Sequence, residues 1–191
     1  MNRREALSRV ALLLGGTVAG ASVFLEGCQP ADKKTTGSLT DFSPQDVAFL
    51  DEVADTILPT TSTPGAKAAG VGPFMTVMVR DCYDEGDQKT FREGFDKLND
   101  ASSKKFDKVF MEITPEQRHN LLVDLDKEQQ DYTSHKKDGD PAHYFRLMKE
   151  LTLLGYFTSE IGATKALRYV ESPGRYEGCI PYKKGDKAWA L

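Results

Sequence analysis

The chain has 191 residues, enough for one hydrophobic core and short of what two would need. Lys and Arg number 25 against 29 Asp and Glu, a formal net charge of -4, and the two signs alternate without forming a basic stripe. The electrostatic footprint of a nucleic-acid binder is therefore missing, and nucleic acid is not an expected partner.

Residues 1–28 read as a targeting segment outside the fold. The adjacent Arg3 and Arg4 precede a weakly apolar, glycine-containing run from Val10 to Leu25, the pattern of a twin-arginine export signal. That run falls short of the roughly 20 residues that span a bilayer, which favours a signal peptide over a retained anchor. Leu25-Glu26-Gly27-Cys28 resembles a bacterial lipoprotein cleavage site, which makes Cys28 a candidate for lipidation. Glu26 stands where small residues are usual, so cleavage at an ordinary signal-peptidase site is the alternative. Residues 29–41 are polar and suit a flexible tether, and residues 42–191 form the folded domain. The expected location is the periplasm, at the membrane.

Ser43-Pro44 predicts a helix start, with Val47, Leu50, Val53, Ala54 and Ile57 as one apolar stripe and Pro59 as its stop. The Gly-, Pro- and Thr-rich stretch from Thr60 to Pro73 predicts an ordered loop without a phosphate-binding ending. A short helix follows over about 73–83, with Phe74, Val77, Met78 and Cys82 facing inward. The next covers about 87–108, interrupted or bent at the polar Asn99–Ser103. Thr114-Pro115-Glu116-Gln117 is a capping box for a helix with Leu121, Leu122 and Leu125 buried, and Gln129–Gly139 reads as a mobile loop. Asp140-Pro141 is the expected cap of a central helix over about 141–170, apolar around most of its circumference and so in need of neighbours on several sides. No period-2 strand is evident. The fold class is all-α, a single compact domain of five or six helices with an irregular C-terminal tail.

In an oxidising compartment, Cys82 and Cys179 read most economically as a disulfide, worth about 4–5 kcal/mol in the chain-entropy model. A redox-active pair is the alternative, without the close spacing that tunes a thiol. Tyr176, Tyr182 and Trp189 make the tail aromatic, either laid over its own domain or presented to another protein. His119, His135 and His143 show no metal-ligand spacing, and haem, dinucleotide and nucleophile-elbow motifs are missing. Asp51 with Asp55, and Asp124 with Asp126, read as solvated helix faces. No catalytic, cofactor-binding or metal-ligating residue is assigned.

Four stretches carry a resemblance: Phe49-Leu-Asp-Glu-Val-Ala-Asp-Thr-Ile-Leu-Pro59, Thr63-Pro-Gly-Ala-Lys-Ala-Ala-Gly-Val71, Ile113-Thr-Pro-Glu-Gln117 and Leu151-Thr-Leu-Leu-Gly-Tyr-Phe-Thr-Ser159. Together they resemble the small-subunit family of gluconate 2-dehydrogenase, subunit 3, over roughly residues 42–189. The resemblance implies a non-catalytic accessory subunit of a flavin-dependent sugar or polyol dehydrogenase. Its FAD would sit in a large partner subunit, with haem c in a cytochrome subunit where one is present. It also implies help in maturing and exporting a flavoprotein that lacks its own signal. Glu160-Ile-Gly-Ala-Thr164 replaces a Pro-x-Tyr-Gly-Gly-Asn-like turn of many relatives, so gluconate is not implied as the substrate. A stand-alone lipoprotein with a small-molecule or enzymatic role is the alternative reading.

Overall fold

The computed structural model describes residues 39–190 apart from residues 173, 176 and 177. Arg3, Arg4, Cys28 and Tyr176 therefore lie outside the described residues. The described domain is helical: α1 (Pro44–Ile57), α2 (Val71–Cys82), α3 (Glu85–Phe106), α4 (Pro115–His135) and α5 (Tyr144–Thr158), with a 3-10 turn at Phe110–Glu112. None of these helices is long and apolar enough to cross a membrane.

Helix α5 is central, touching each of the other four helices. Its buried face carries Phe145, Met148, Leu151 and Thr152, and the Thr152 hydroxyl is satisfied by donating to the Met148 carbonyl at 2.8 Å. Glycines permit its closest approaches. A Cβ on Gly155 would lie 2.5 Å from Phe74 of α2, and one on Gly94 of α3 would lie 2.9 Å from Met148. On the other side of the core, Phe49 stacks on Phe95 at 5.0 Å between centroids and meets Phe110 at 5.2 Å, joining α1, α3 and the 3-10 turn.

Helices α1 and α4 start as their sequences predict. Ser43 and Asp46 close one capping box and Thr114 and Gln117 the other, each with proline in the first turn. Helix α5 starts three residues later than the Asp140-Pro141 signal suggests. Asp140 instead accepts from the Lys137 amide at 2.9 Å to close a turn, and His143 caps the helix by accepting from Phe145 N at 3.3 Å. Nor does the helix continue to residue 170. Ser159 takes an extended conformation, its hydroxyl donating to the Tyr156 carbonyl and accepting from Gly162 N. A five-residue π turn, Gly162–Ala166, follows. The turn depends on Gly162, whose added Cβ would come within 1.8 Å of the Tyr156 carbonyl oxygen.

Three further expectations give way to side-chain chemistry. The polar Asn99–Ser103 stretch does not interrupt α3: Asn99 accepts from Phe110 N and buried Ser102 donates to the Lys108 carbonyl, so both hold the chain that follows. Gln129–His135 is helix, secured where Gln129 is buried and where Tyr132 donates to the Pro141 carbonyl at 3.0 Å. Helix α2 turns Val71, Met75 and Val79 to the core, leaving Val77 and Cys82 exposed. Two very short strands also form: β1 (Arg168–Tyr169) pairs in parallel with β2 (Trp189–Ala190), tying the end of the tail to the segment after the π turn. Cys82 and Cys179 are both free and exposed, so the expected bridge is not formed and the β1–β2 ladder makes this attachment.

Candidate partner-contact surfaces

The expected loop from Thr60 to Pro73 ends at Gly70, because α2 begins at Val71. This loop and the first turn of α2 are held on α1 by three carboxylates, Asp51, Glu52 and Asp55. Asp51 accepts from Gly72 N at 3.0 Å, Asp55 from Lys67 N at 3.4 Å, and Glu52 pairs with the Lys67 ammonium. The approach is close enough to require glycine. A Cβ on Gly72 would sit 2.4 Å from Asp51 Oδ1, and one on Gly65 would sit 2.6 Å from Asp55 Oδ1. Buried Ala66 pins the loop's centre, while Thr60, Thr61, Ser62 and Lys67 remain exposed. Asp51 and Asp55 thus do not form a solvated face; they receive the amides of Gly72 and Lys67, adding to the backbone bonds that the loop makes within itself.

Arg118 of α4 closes this knot. Its guanidinium pairs with Glu52, donates to the carbonyls of Phe110 at 3.1 Å and Met111 at 2.8 Å, and lies 5.3 Å from the Phe110 ring centroid. Lys67 and Arg118 together hold the Glu52 carboxyl below the usual carboxylate range, the Lys67 hydrogen bond being the largest cause. For Asp51, burial outweighs the Gly72 amide and raises the carboxyl above its ordinary value. Asp126 is likewise engaged, by Lys149 of α5 and by the amides of Gln129 and Gln130, whereas Asp124 takes only the exposed ends of Lys105 and Lys127.

The tail forms the second surface. Tyr182 is 76% exposed and Trp189 49%, and the Arg168 guanidinium lies 4.5 Å from the Trp189 ring centroid. Lys183 to Asp186 make a turn, the Asp186 carboxylate accepting from Lys183 N at 2.9 Å, with Gly185 in the left-handed region at φ 98°. Among the described residues of the tail, Tyr182 and Trp189 are thus exposed, and neither is buried in the domain's core.

A third surface was hidden from sequence reasoning. Leu153, Leu154 and Phe157 are 37%, 45% and 39% exposed on the outer side of α5, despite its four helical neighbours. The only sequence signal is that α5 is apolar all round, which by itself says buried.

Among the described residues, no group of three or more His, Cys, Asp or Glu is placed to hold a metal ion. His135 Nδ1 lies 2.8 Å from the Asp131 carbonyl oxygen, and His119 borders an open cleft of about 310 Å³ together with Leu122, Phe145 and Lys149. His143 is buried enough to hold its pKa below the ordinary 6.5, against the opposing pull of Glu128. This agrees with a neutral ring whose Nδ1 accepts the cap hydrogen bond while Nε2 faces Glu128 at 3.7 Å. Burial similarly raises the Tyr83 phenol to about 12 and pushes that of Tyr144 up. His135 Nδ1 also lies 2.9 Å from the Ser134 hydroxyl, an exposed contact at the end of α4.

No curated protein and no solved structure matches the chain. A family model, described as gluconate 2-dehydrogenase subunit 3, does match, over residues 44–174. This span runs from the first residue of α1 through the glycine loop, the Arg118 knot and the central helix into the tail. The chain belongs to the gluconate 2-dehydrogenase subunit 3 family.

Proposed function

We propose that the protein is the non-catalytic small subunit of a periplasmic, membrane-associated flavin-dependent dehydrogenase acting on CH–OH groups of sugars or polyols. Its role is to accompany the large flavoprotein subunit through the twin-arginine route, using the signal at Arg3 and Arg4, and to stabilise it afterwards. Cys28 then anchors the complex as a lipid-bearing N-terminus. FAD belongs to the large subunit, and haem c to a cytochrome subunit where one is present. The observation that carries this reading is the family match, which covers the entire helical core. Exposed Thr60, Thr61, Ser62 and Lys67 on the loop and exposed Tyr182 and Trp189 on the tail support it, because a subunit must offer its partner a face.

The reading is tested by tagging the C-terminus, extracting the protein from its native host in mild detergent and recording co-purifying chains with the visible spectrum. A large partner carrying a flavin spectrum is expected. A lone colourless chain, also after crosslinking, would refute the stable-subunit role. Truncation after Val170 tests the tail separately: binding and export of the large subunit should both fall, and normal levels of both would remove the tail from the interface.

A further inference from the structure

We infer that the outer stripe of α5 and the C-terminal ladder form one bipartite docking surface. Its occupant is the large dehydrogenase subunit, through an apolar strip flanked by carboxylates. This rests on the accessory-subunit reading above.

The stripe supplies the apolar half. Leu153, Leu154 and Phe157 occupy one side of the helix that the domain is built around, and they stay exposed after α1 to α4 have all packed against it. A face of this kind resembles the water-excluding centre of an interface. Three side chains fall well short of the about 800 Å² per partner that a stable complex buries, so neighbouring elements must extend the contact. The next elements along the chain are in contact in turn: α5 with the π turn, the π turn with β1, and β1 with β2.

Charge says what that extension meets. Residues 159–191 carry six Lys or Arg and four Asp or Glu, a net +2, whereas residues 39–158 carry fourteen and twenty-two, a net -8. The cationic end of an otherwise acidic domain includes exposed Lys183, Lys184 and Lys187, beside the Arg168–Trp189 stack. Its complement is an acidic surface, and cation-bearing aromatic ladders give such contacts both a steering field and a stacked anchor. A second copy of this chain would also offer carboxylates. The family match, to a numbered subunit of a dehydrogenase, favours a different chain as the occupant, and self-association is the outcome that sedimentation tests.

The test uses the full-length chain co-expressed with its large subunit, and compares Phe157→Asp, the triple reversal Lys183→Glu, Lys184→Glu and Lys187→Glu, and the control Val123→Asp on exposed α4. Circular dichroism confirms that each variant is folded, and affinity for the large subunit is measured between low and high salt. Phe157→Asp should weaken binding by about 100-fold at every salt concentration, in the range of an interface hot spot. The triple reversal should weaken it about tenfold or more at low salt, with the difference shrinking as salt screens it. Val123→Asp should bind as the parent does. Parent-like binding by both folded test variants overturns the docking surface while leaving the subunit reading intact. Failure of the parent chain to bind any large subunit overturns both. Self-association in sedimentation that the variants abolish would assign the surface to a second copy. Binding of the parent to anionic phospholipid vesicles, lost in the variants while the large subunit still binds, would assign it to the membrane.

Discussion

Replacing Arg118 by Met tests whether the glycine loop and the core are fastened by one side chain. The Arg118 side chain is only 13% exposed, and Met keeps most of its aliphatic volume while removing every donor. Three carbonyl or carboxylate partners lose a charged donor. The Met111 carbonyl sits in an exposed residue where water can replace the lost bond at little cost. The part-buried Phe110 carbonyl should cost about 1–1.5 kcal/mol. Glu52 keeps Lys67, so losing its less exposed partner should cost about 1–2 kcal/mol, below the figure for a fully buried pair. The sum, about 2.5 kcal/mol, should lower Tm by about 5–10 °C in a chain of this size. Urea unfolding followed by circular dichroism measures it, with Glu52→Gln and the double variant completing a thermodynamic cycle. A stability loss below about 0.5 kcal/mol, or additive single variants, would refute the knot.

Acid should unfasten α5 at its first turn. Burial holds the folded-state pKa of His143 below its ordinary 6.5, so the stability its neutral ring confers is complete above that pH and is lost as pH falls through the lower folded-state value. His143→Asn, a pH-independent cap, should flatten the slope of stability below pH 6.5, and an unchanged slope would place the titration elsewhere. Glu52 acts in a lower window: its depressed carboxyl contributes above its unfolded pKa and loses that contribution as pH falls through the folded value, a loss that Glu52→Gln should remove from the acid limb of the curve. Gly162→Ala should cost at least about 2 kcal/mol, because an added Cβ meets backbone and cannot rotate away; wild-type thermal unfolding would show that the π turn is plastic.

Helix starts were legible because they are written locally: Ser43-Pro44 and Thr114-Pro115 each place an acceptor and a donor-free residue within four positions. The centrality of α5 followed from its apolar circumference, since such a helix has nowhere else to be. What sequence could not give was the destination of polar groups. Asn99 and Ser102 looked like a break in a helix, yet each fastens the chain that follows α3, while Gln129, read as loop, is buried in α4 with its amide on Asp126 one turn back. The same holds for Asp51 and Asp55, whose spacing on α1 says nothing about the loop amides they receive. Along α5 the error ran the other way. Leu153, Leu154 and Phe157 were read as buried because hydropathy records how apolar a residue is, and not which subunit covers it.

The two-residue ladder between β1 and β2 encloses the chain from Val170 to Ala188. Closing a loop of about 18 residues costs about 2.6 kcal/mol in its length-dependent part. Against this stand the Arg168 N to Ala188 and Val170 N to Ala190 backbone bonds, each worth about 1 kcal/mol net, and the Arg168–Trp189 stack, worth about 0.5–1 kcal/mol at an exposed site. The two sides nearly cancel. The chain end is therefore held by a latch of small net stability. A binding chain that grips it need supply little work to hold it in either state, and trimming the last two or three residues would set the whole segment loose.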